Sequence, residues 1–184
     1  MGFILTVAVS GICLSLTPGQ GASDPSEPIT HYGFGRPATE AEINAWNIDI
    51  SPTGEGLPPG RGTVEQGAKV YAAKCAGCHG PTGAEGPRDQ LVGGHRSLAT
   101  ERPIKTVGSY WPYATTLYDY IYRAMPITNP QSLTPDEVYS LVAWILHRNG
   151  TIPEDAIMDA RSLPAVRMPN RDGFVPDSRP DVPK

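Results

Sequence analysis

Apolar residues recur at intervals of three and four in the centre of the chain, which is the spacing of amphipathic helices. The first predicted helix begins at Thr63, where Thr63 and Gln66 form the pattern of a capping box. Its apolar face comprises Val64, Ala68, Tyr71 and Ala72. A second helix is predicted over 114–123. It should end before Met125, because the proline at 126 cannot continue a helix.

The third predicted helix has the strongest pattern. Thr134 is its expected N-cap, Pro135 occupies the first turn, Glu137 completes a second capping box and Gly150 ends the helix. The apolar positions that repeat at helical spacing are Val138, Leu141, Val142, Ile145 and Leu146. No alternating pattern is long enough to predict a sheet, so the expected fold is all-α.

Proline-rich and glycine-rich segments flank these helices, and the chain has 20 residues of each type. We expect an N-terminal extension at 23–62, which includes about two helical turns near 38–46, a central domain at 63–150 and a C-terminal extended arm at 151–184. Isolated large apolar residues imply that both extensions lie against the core or a partner. They are Phe34, Trp46, Ile157, Met168, Phe174 and Val175. Deletion of 164–184 is expected to leave cofactor incorporation intact.

Residues 1–22 have the pattern of a secretory signal peptide, an apolar run followed by small residues, and cleavage is expected near Ala22. The positive residues that usually precede the run are missing, so a retained anchor is the alternative. Cleavage would remove Cys13 and leave a periplasmic protein without a stable membrane span. The formal net charge is −4, so the chain lacks the basic character typical of nucleic-acid-binding proteins.

The sequence at 75–79, Cys-Ala-Gly-Cys-His, is the attachment motif for a c-type haem. Cys75 and Cys78 would form thioethers with the haem, and His79 would ligate the iron. The alternatives are a zinc site and a redox dithiol. Zinc would need two more ligands from the scattered histidines His31, His95 and His147, and a redox dithiol belongs at the start of a helix in a βαβ unit.

Met125 is the expected sixth ligand, because a thioether at the end of the second helix would complete His/Met coordination. Its alternative role is core packing. His95 would instead give bis-histidine ligation from a glycine-rich loop, and an open sixth position is a further possibility. Met158 and Met168 lie beyond the last helix and are weaker candidates.

The order of helix, haem motif, loop, helix, Met-Pro pair and final helix over 63–150 resembles class I cytochromes c. The resemblance implies a right-angled crossing of the first and last helices, in which Gly67, Tyr71 and Trp144 would meet. It also implies an electron-transfer protein with no catalytic residues of its own. The single Cys-X-X-Cys-His motif predicts one covalent haem c.

A narrower resemblance, to the SoxD family, covers nearly the whole chain after residue 22. It rests on the sequences at 34–39, 107–117, 123–126, 131–139 and 166–175. SoxD proteins are the cytochrome subunits of molybdenum-containing sulfane (sulfite) dehydrogenases. The resemblance implies a SoxC-like molybdoprotein partner and a downstream cytochrome or oxidase as acceptor. The alternatives are a free-standing carrier for another periplasmic dehydrogenase and a haem peroxidase or sensor with an open sixth site.

Four loop residues have two possible roles each. Tyr110, Trp111 and Tyr113 could donate hydrogen bonds to haem propionates or pack within the loop. Arg96 could pair with a propionate, although a solvated cation is the simpler expectation. His147 is expected to stabilise the end of the third helix.

Overall fold

A computed structural model describes residues 34–179. The predicted signal peptide at 1–22, Cys13 and His31 lie outside the described residues. Between 34 and 179 no helix is both long and apolar enough to cross a membrane.

Five helices and one small sheet make up the described chain. The elements are α1 (Glu40–Trp46), β1 (Arg61–Thr63), α2 (Val64–Lys74), α3 (Ala76–His79), α4 (Ala114–Ala124), α5 (Pro135–Arg148) and β2 (Ile157–Asp159), followed by one 3₁₀ turn at Leu163–Ala165. The three predicted central helices are α2, α4 and α5. The two turns expected near 38–46 are α1.

Local hydrogen bonds begin three of the helices and end α5, and the caps at Thr63 and Thr134 are those that the sequence predicts. Thr63 and Thr134 both form complete capping boxes, and Thr39 forms a third at the start of α1. At the end of α5, Gly150 adopts a left-handed φ of 66°. Its N–H donates to the His147 carbonyl and the next N–H donates to the Leu146 carbonyl, a Schellman arrangement.

The core is organised by the contact between α2 and α5. Gly67 is buried where the two helices meet, and a Cβ there would overlap the Ser140 carbonyl oxygen. Tyr71 and Trp144 stack beside it with ring centroids 3.9 Å apart. The glycine lets the backbones approach and the aromatic rings fill the adjacent space, so the expected role of these three residues is confirmed.

A two-stranded antiparallel sheet, absent from the sequence prediction, joins the two flanks of the central domain. Gly62 pairs with Met158, and each strand has three residues. Strands this short carry too few positions for an alternating pattern to be recognised. Gly62 is required here, because a Cβ would overlap the backbone nitrogen of Ser140 on α5.

The C-terminal segment packs into the core as far as Met168. Met158, Leu163 and Met168 are 4%, 0% and 1% exposed and belong to the same apolar cluster as α5. The Asn170 side-chain amide also donates to the Tyr110 carbonyl over 2.7 Å. Deletion of 164–184 would therefore remove the core contacts of Met168, so this part of the segment is not a free arm. That the deletion leaves cofactor incorporation intact stays a prediction.

The N-terminal segment is attached more locally. Ile50 is buried, and its N–H donates over 2.9 Å to a carboxylate oxygen of Asp119 on α4. Asp119 also forms an ion pair with Arg123 one turn later, so the charge of the buried carboxylate is balanced by a cation. Helix α1, which consists of the seven residues before Asn47, buries none of its side chains.

Candidate haem site

Cys75 and Cys78 bracket the start of α3, a four-residue helix with no buried residue. Cys75 is half-buried, Cys78 is exposed, and the two thiols are not joined in a disulfide. Burial raises the pKa of Cys75 to about 11. A redox dithiol instead needs a lowered thiol pKa, so the environment of Cys75 disfavours that alternative.

The ring orientation of His79 is set by one backbone contact. Its Nδ1 lies 2.8 Å from the carbonyl oxygen of Asp89. A carbonyl only accepts, so Nδ1 carries the proton and donates, which leaves the lone pair of Nε2 available to a metal. Sequence analysis could not identify Asp89, because the contact uses its backbone and not its side chain.

Glycines fold the chain that follows His79 back over the motif. Gly80 has a φ of 75°, and a Cβ there would overlap the Glu85 carbonyl oxygen. The Arg88 N–H donates to the Cys78 carbonyl over 3.1 Å. The buried Tyr71 hydroxyl donates to the Gly80 carbonyl over 2.9 Å, which ties this loop to the α2–α5 contact.

Met125 leaves the end of α4 in an extended conformation, with φ −118° and ψ 146°. The proline at 126 favours this conformation, because its ring disfavours a helical residue before it. The Met125 side chain is half-buried and packs against the core cluster. It is held at a helix end without being enclosed, as a residue that must also contact a cofactor would be.

The other proposed ligands lie elsewhere. His95 is exposed and lines a cleft with Arg96, Ser109 and Asn170; among the described residues, that lining includes neither a motif residue nor Met125. Met158 and Met168 are core residues and not part of a free arm. His147 is half-buried, with Nδ1 3.3 Å from the Ile152 carbonyl oxygen.

The aromatic residues of the loop before α4 all have packing partners. Tyr110 meets Phe174 edge-to-face with ring centroids 5.2 Å apart, and Trp111 meets Tyr120 at 5.8 Å. The Arg171 guanidinium lies over the Tyr113 ring at 4.1 Å. These contacts favour the packing role over propionate binding.

The available donors fit a haem better than a zinc ion. Across residues 34–179, no three His, Cys, Asp or Glu side chains come together as a metal site. The motif instead offers two thiols for thioethers and one imidazole nitrogen for an iron. Half-buried apolar side chains that pack against the core cluster include Leu91, Trp111 and Tyr122.

Comparisons with known proteins agree with this donor set. A family model described as cytochrome c oxidase, cbb3-type, subunit III, matches residues 62–145. A chain of the sulfane dehydrogenase SoxCD from Paracoccus pantotrophus has a similar structure, with a TM-score of 0.75 and 41% sequence identity. The match covers 81% of this chain and 74% of that one. No curated protein sequence matches the chain.

Both matches point to the same kind of protein. The cytochrome c domain and its five-helix fold are those of haem-binding electron-transfer proteins. The solved structure extends the similarity well outside residues 62–145, into both flanking segments. The chain therefore belongs to the SoxD-like class I c-type cytochromes.

Proposed function

We propose that this chain is a periplasmic mono-haem cytochrome and the electron-accepting subunit of a molybdenum-dependent sulfane or sulfite dehydrogenase. The haem assignment rests on the arrangement of His79. Its imidazole is oriented by the Asp89 carbonyl, its second ring nitrogen is available to a metal, and it directly follows two thiols that form no disulfide. The similarity to a SoxCD chain carries the assignment to a dehydrogenase.

Each proposed residue has a distinct role. Cys75 and Cys78 attach the haem covalently, which a small domain needs because it cannot enclose the cofactor. His79 supplies the proximal nitrogen, and the hydrogen bond from Nδ1 to the Asp89 carbonyl makes that nitrogen a stronger donor. Met125 supplies the distal thioether. When bound, the haem supplies a site that accepts and releases one electron at a time.

The protein controls the environment of this electron. A soft thioether from Met125 favours Fe(II) and raises the reduction potential. Leu91, Trp111 and Tyr122 are half-buried and pack against the core, and apolar side chains of this kind would exclude water from a cofactor bound beside them.

The methionine assignment is tested with Met125→Ala in the purified holoprotein. We expect the Met–Fe(III) charge-transfer band near 695 nm to disappear and the potential to fall by on the order of 100 mV, because the axial ligand is a main determinant of haem potential. Met158→Leu and Met168→Leu are the controls, since both residues are buried in the core, and should leave the band in place. An unchanged band in Met125→Ala would reopen the assignment of His95.

The partner assignment is tested by co-expression with a SoxC-like molybdoprotein. We expect the two chains to co-purify and sulfite or a sulfane-sulfur substrate to reduce the haem, as followed by absorbance. A cytochrome that is reduced by other donors but never co-purifies would be a free-standing carrier. An oxidised protein without the 695 nm band that binds carbon monoxide readily when reduced would be a sensor or peroxidase.

A further inference from the structure

Helix α1 contributes no residue to the buried core cluster. All seven of its residues are exposed, and Ile43 and Trp46 expose 45% and 87% of their surface. They are three positions apart, so they lie on the same face of the helix. A single turn or two of helix is marginal in water, and a large aromatic that remains in solvent contributes nothing to holding it.

The helix is nevertheless capped at both ends, and the chain that follows it is anchored to the core. Thr39 and Glu42 form the capping box at its start, and the Asn47 N–H donates to the Ile43 carbonyl at its end. Three residues later Ile50 is buried, and its N–H is bound to Asp119. This anchor four residues after Trp46 limits how far the apolar pair can move, which lowers the entropy lost when a partner binds it.

Charge selects the kind of partner. Residues 39–50 contain three acids and no lysine or arginine. Glu40 is exposed, Glu42 also caps the helix, and Asp49 lies near the Arg123 guanidinium. A symmetric contact with a second copy would bring these like charges together. An apolar groove rimmed by lysine or arginine would complement both the apolar pair and the acidic rim, in the manner of other helices that dock in grooves.

We propose that α1 is the docking element for the molybdoprotein subunit, inserting Ile43 and Trp46 into an apolar groove with a basic rim. The inference rests on the proposed function for the identity of the partner. The docking surface is independent of the haem ligands, because α1 contains none of them. Its loss should therefore weaken the complex without changing the cofactor.

The test measures binding of the holocytochrome to the purified molybdoprotein subunit by titration calorimetry. We expect Ile43→Ser combined with Trp46→Ser to weaken binding at least tenfold, because a buried tryptophan is a typical interface hot spot. Ile104→Ser is the matched control, since Ile104 is 44% exposed, close to the 45% of Ile43, and lies in the loop between α3 and α4, and it should change the affinity less than twofold. The haem spectrum and the thermal midpoint of each variant verify that the fold is intact.

A charge variant provides an independent measurement. Glu40→Lys should weaken binding at low salt and lose most of that effect at high salt, because exposed charges are screened. Glu101→Lys, an exposed acid in another loop, is its control and should have no such effect. Glu42 is left unchanged because it caps the helix.

The outcomes separate this inference from the proposed function. If the wild type binds the molybdoprotein and the α1 variants bind equally well, the docking inference is wrong and the proposed function stands. If the wild type does not bind at all, both are wrong. Self-association that the Trp46 change abolishes, or α1-dependent binding to anionic lipid vesicles, would assign the helix to another partner and overturn the inference.

Discussion

The α2–α5 contact and the haem-motif segment differ sharply in how much of their structure the protein itself supplies. At the contact, Gly67, Tyr71 and Trp144 are buried and in close contact with each other's helices. In the motif segment, α3 buries no residue, and Cys78 is exposed. The contact is held by packing between side chains, whereas the motif is held by backbone hydrogen bonds and glycine turns.

This difference indicates how stability is divided between the protein and its cofactor. Side chains that already fill the α2–α5 contact leave no room there for another group. Helix α3 in the motif segment has no buried residue, so packing contributes little to its stability, and the proposed thioethers and iron ligand would add to it. Tyr71 connects the two regions, because its ring packs on Trp144 and its hydroxyl binds the Gly80 carbonyl.

The largest expected effect comes from removal of the attachment chemistry. Cys75→Ala combined with Cys78→Ala should prevent covalent haem retention, because both thioethers are lost. The measurement is the haem that stays with the protein after acid–acetone extraction. Haem that survives the extraction in this variant would contradict the attachment assignment.

Gly67→Ala should produce the next largest effect, at the other region. The added Cβ would overlap the Ser140 carbonyl oxygen and lie 2.7 Å from the Trp144 Cβ, so the two helices must move apart. We expect a loss of about 3 kcal/mol in the free energy of unfolding, measured by urea denaturation. Gly77→Ala is the matched control, because nothing lies within 4 Å of its added Cβ. Equal stability of the two variants would show that the contact is not tightly packed.

Tyr71→Phe tests the connection between the regions. It keeps the stacked ring and removes the donor to the buried Gly80 carbonyl, so we expect a loss of about 1–2 kcal/mol. Amide hydrogen exchange should also become faster in the loop over 80–89 and stay unchanged in α5. Tyr120→Phe, at a half-exposed tyrosine on α4, is the control. Uniform acceleration of exchange would mean that Tyr71 acts only on global stability.

The smallest expected effect is electrostatic. The hydrogen bond from Lys74 lowers the pKa of Glu137 below its ordinary 4.5. The Lys74 Nζ and the Glu137 Oε1 lie 2.5 Å apart. The fold favours the ionised Glu137 carboxylate. Its contribution to the free energy of unfolding is therefore complete above about pH 4.5 and is lost as the pH falls through the lowered pKa of the folded state. Glu137→Gln keeps an acceptor for the helix cap and should cost less than about 1 kcal/mol at pH 7. Urea denaturation of both proteins at pH 7 and pH 3 should show this difference shrinking at the lower pH.

The local sequence pattern was sufficient to predict those features that depend only on residues close together in the chain. The capping residues Thr63 and Thr134, the helical spacing in α5 and the Pro126 stop depend on contacts within a few positions of the chain, so the sequence predicted them. The Cys-X-X-Cys-His motif likewise indicates its chemistry by spacing alone. The contact of Gly67 with α5 was available only through the resemblance to a known family.

The rest depended on contacts between residues far apart in the chain. Three features could not be predicted from the local sequence pattern. They are the β1–β2 pairing, the burial of Met158 and Met168, and the Asp89 carbonyl that orients His79. A composition rich in proline and glycine predicts an extended arm, but it does not say what that arm lies on. The sequence by itself therefore determined the helices and the attachment chemistry. Only the tertiary structure decided that the C-terminal segment packs in the core while α1 stays uncovered, because burial depends on which distant surfaces meet.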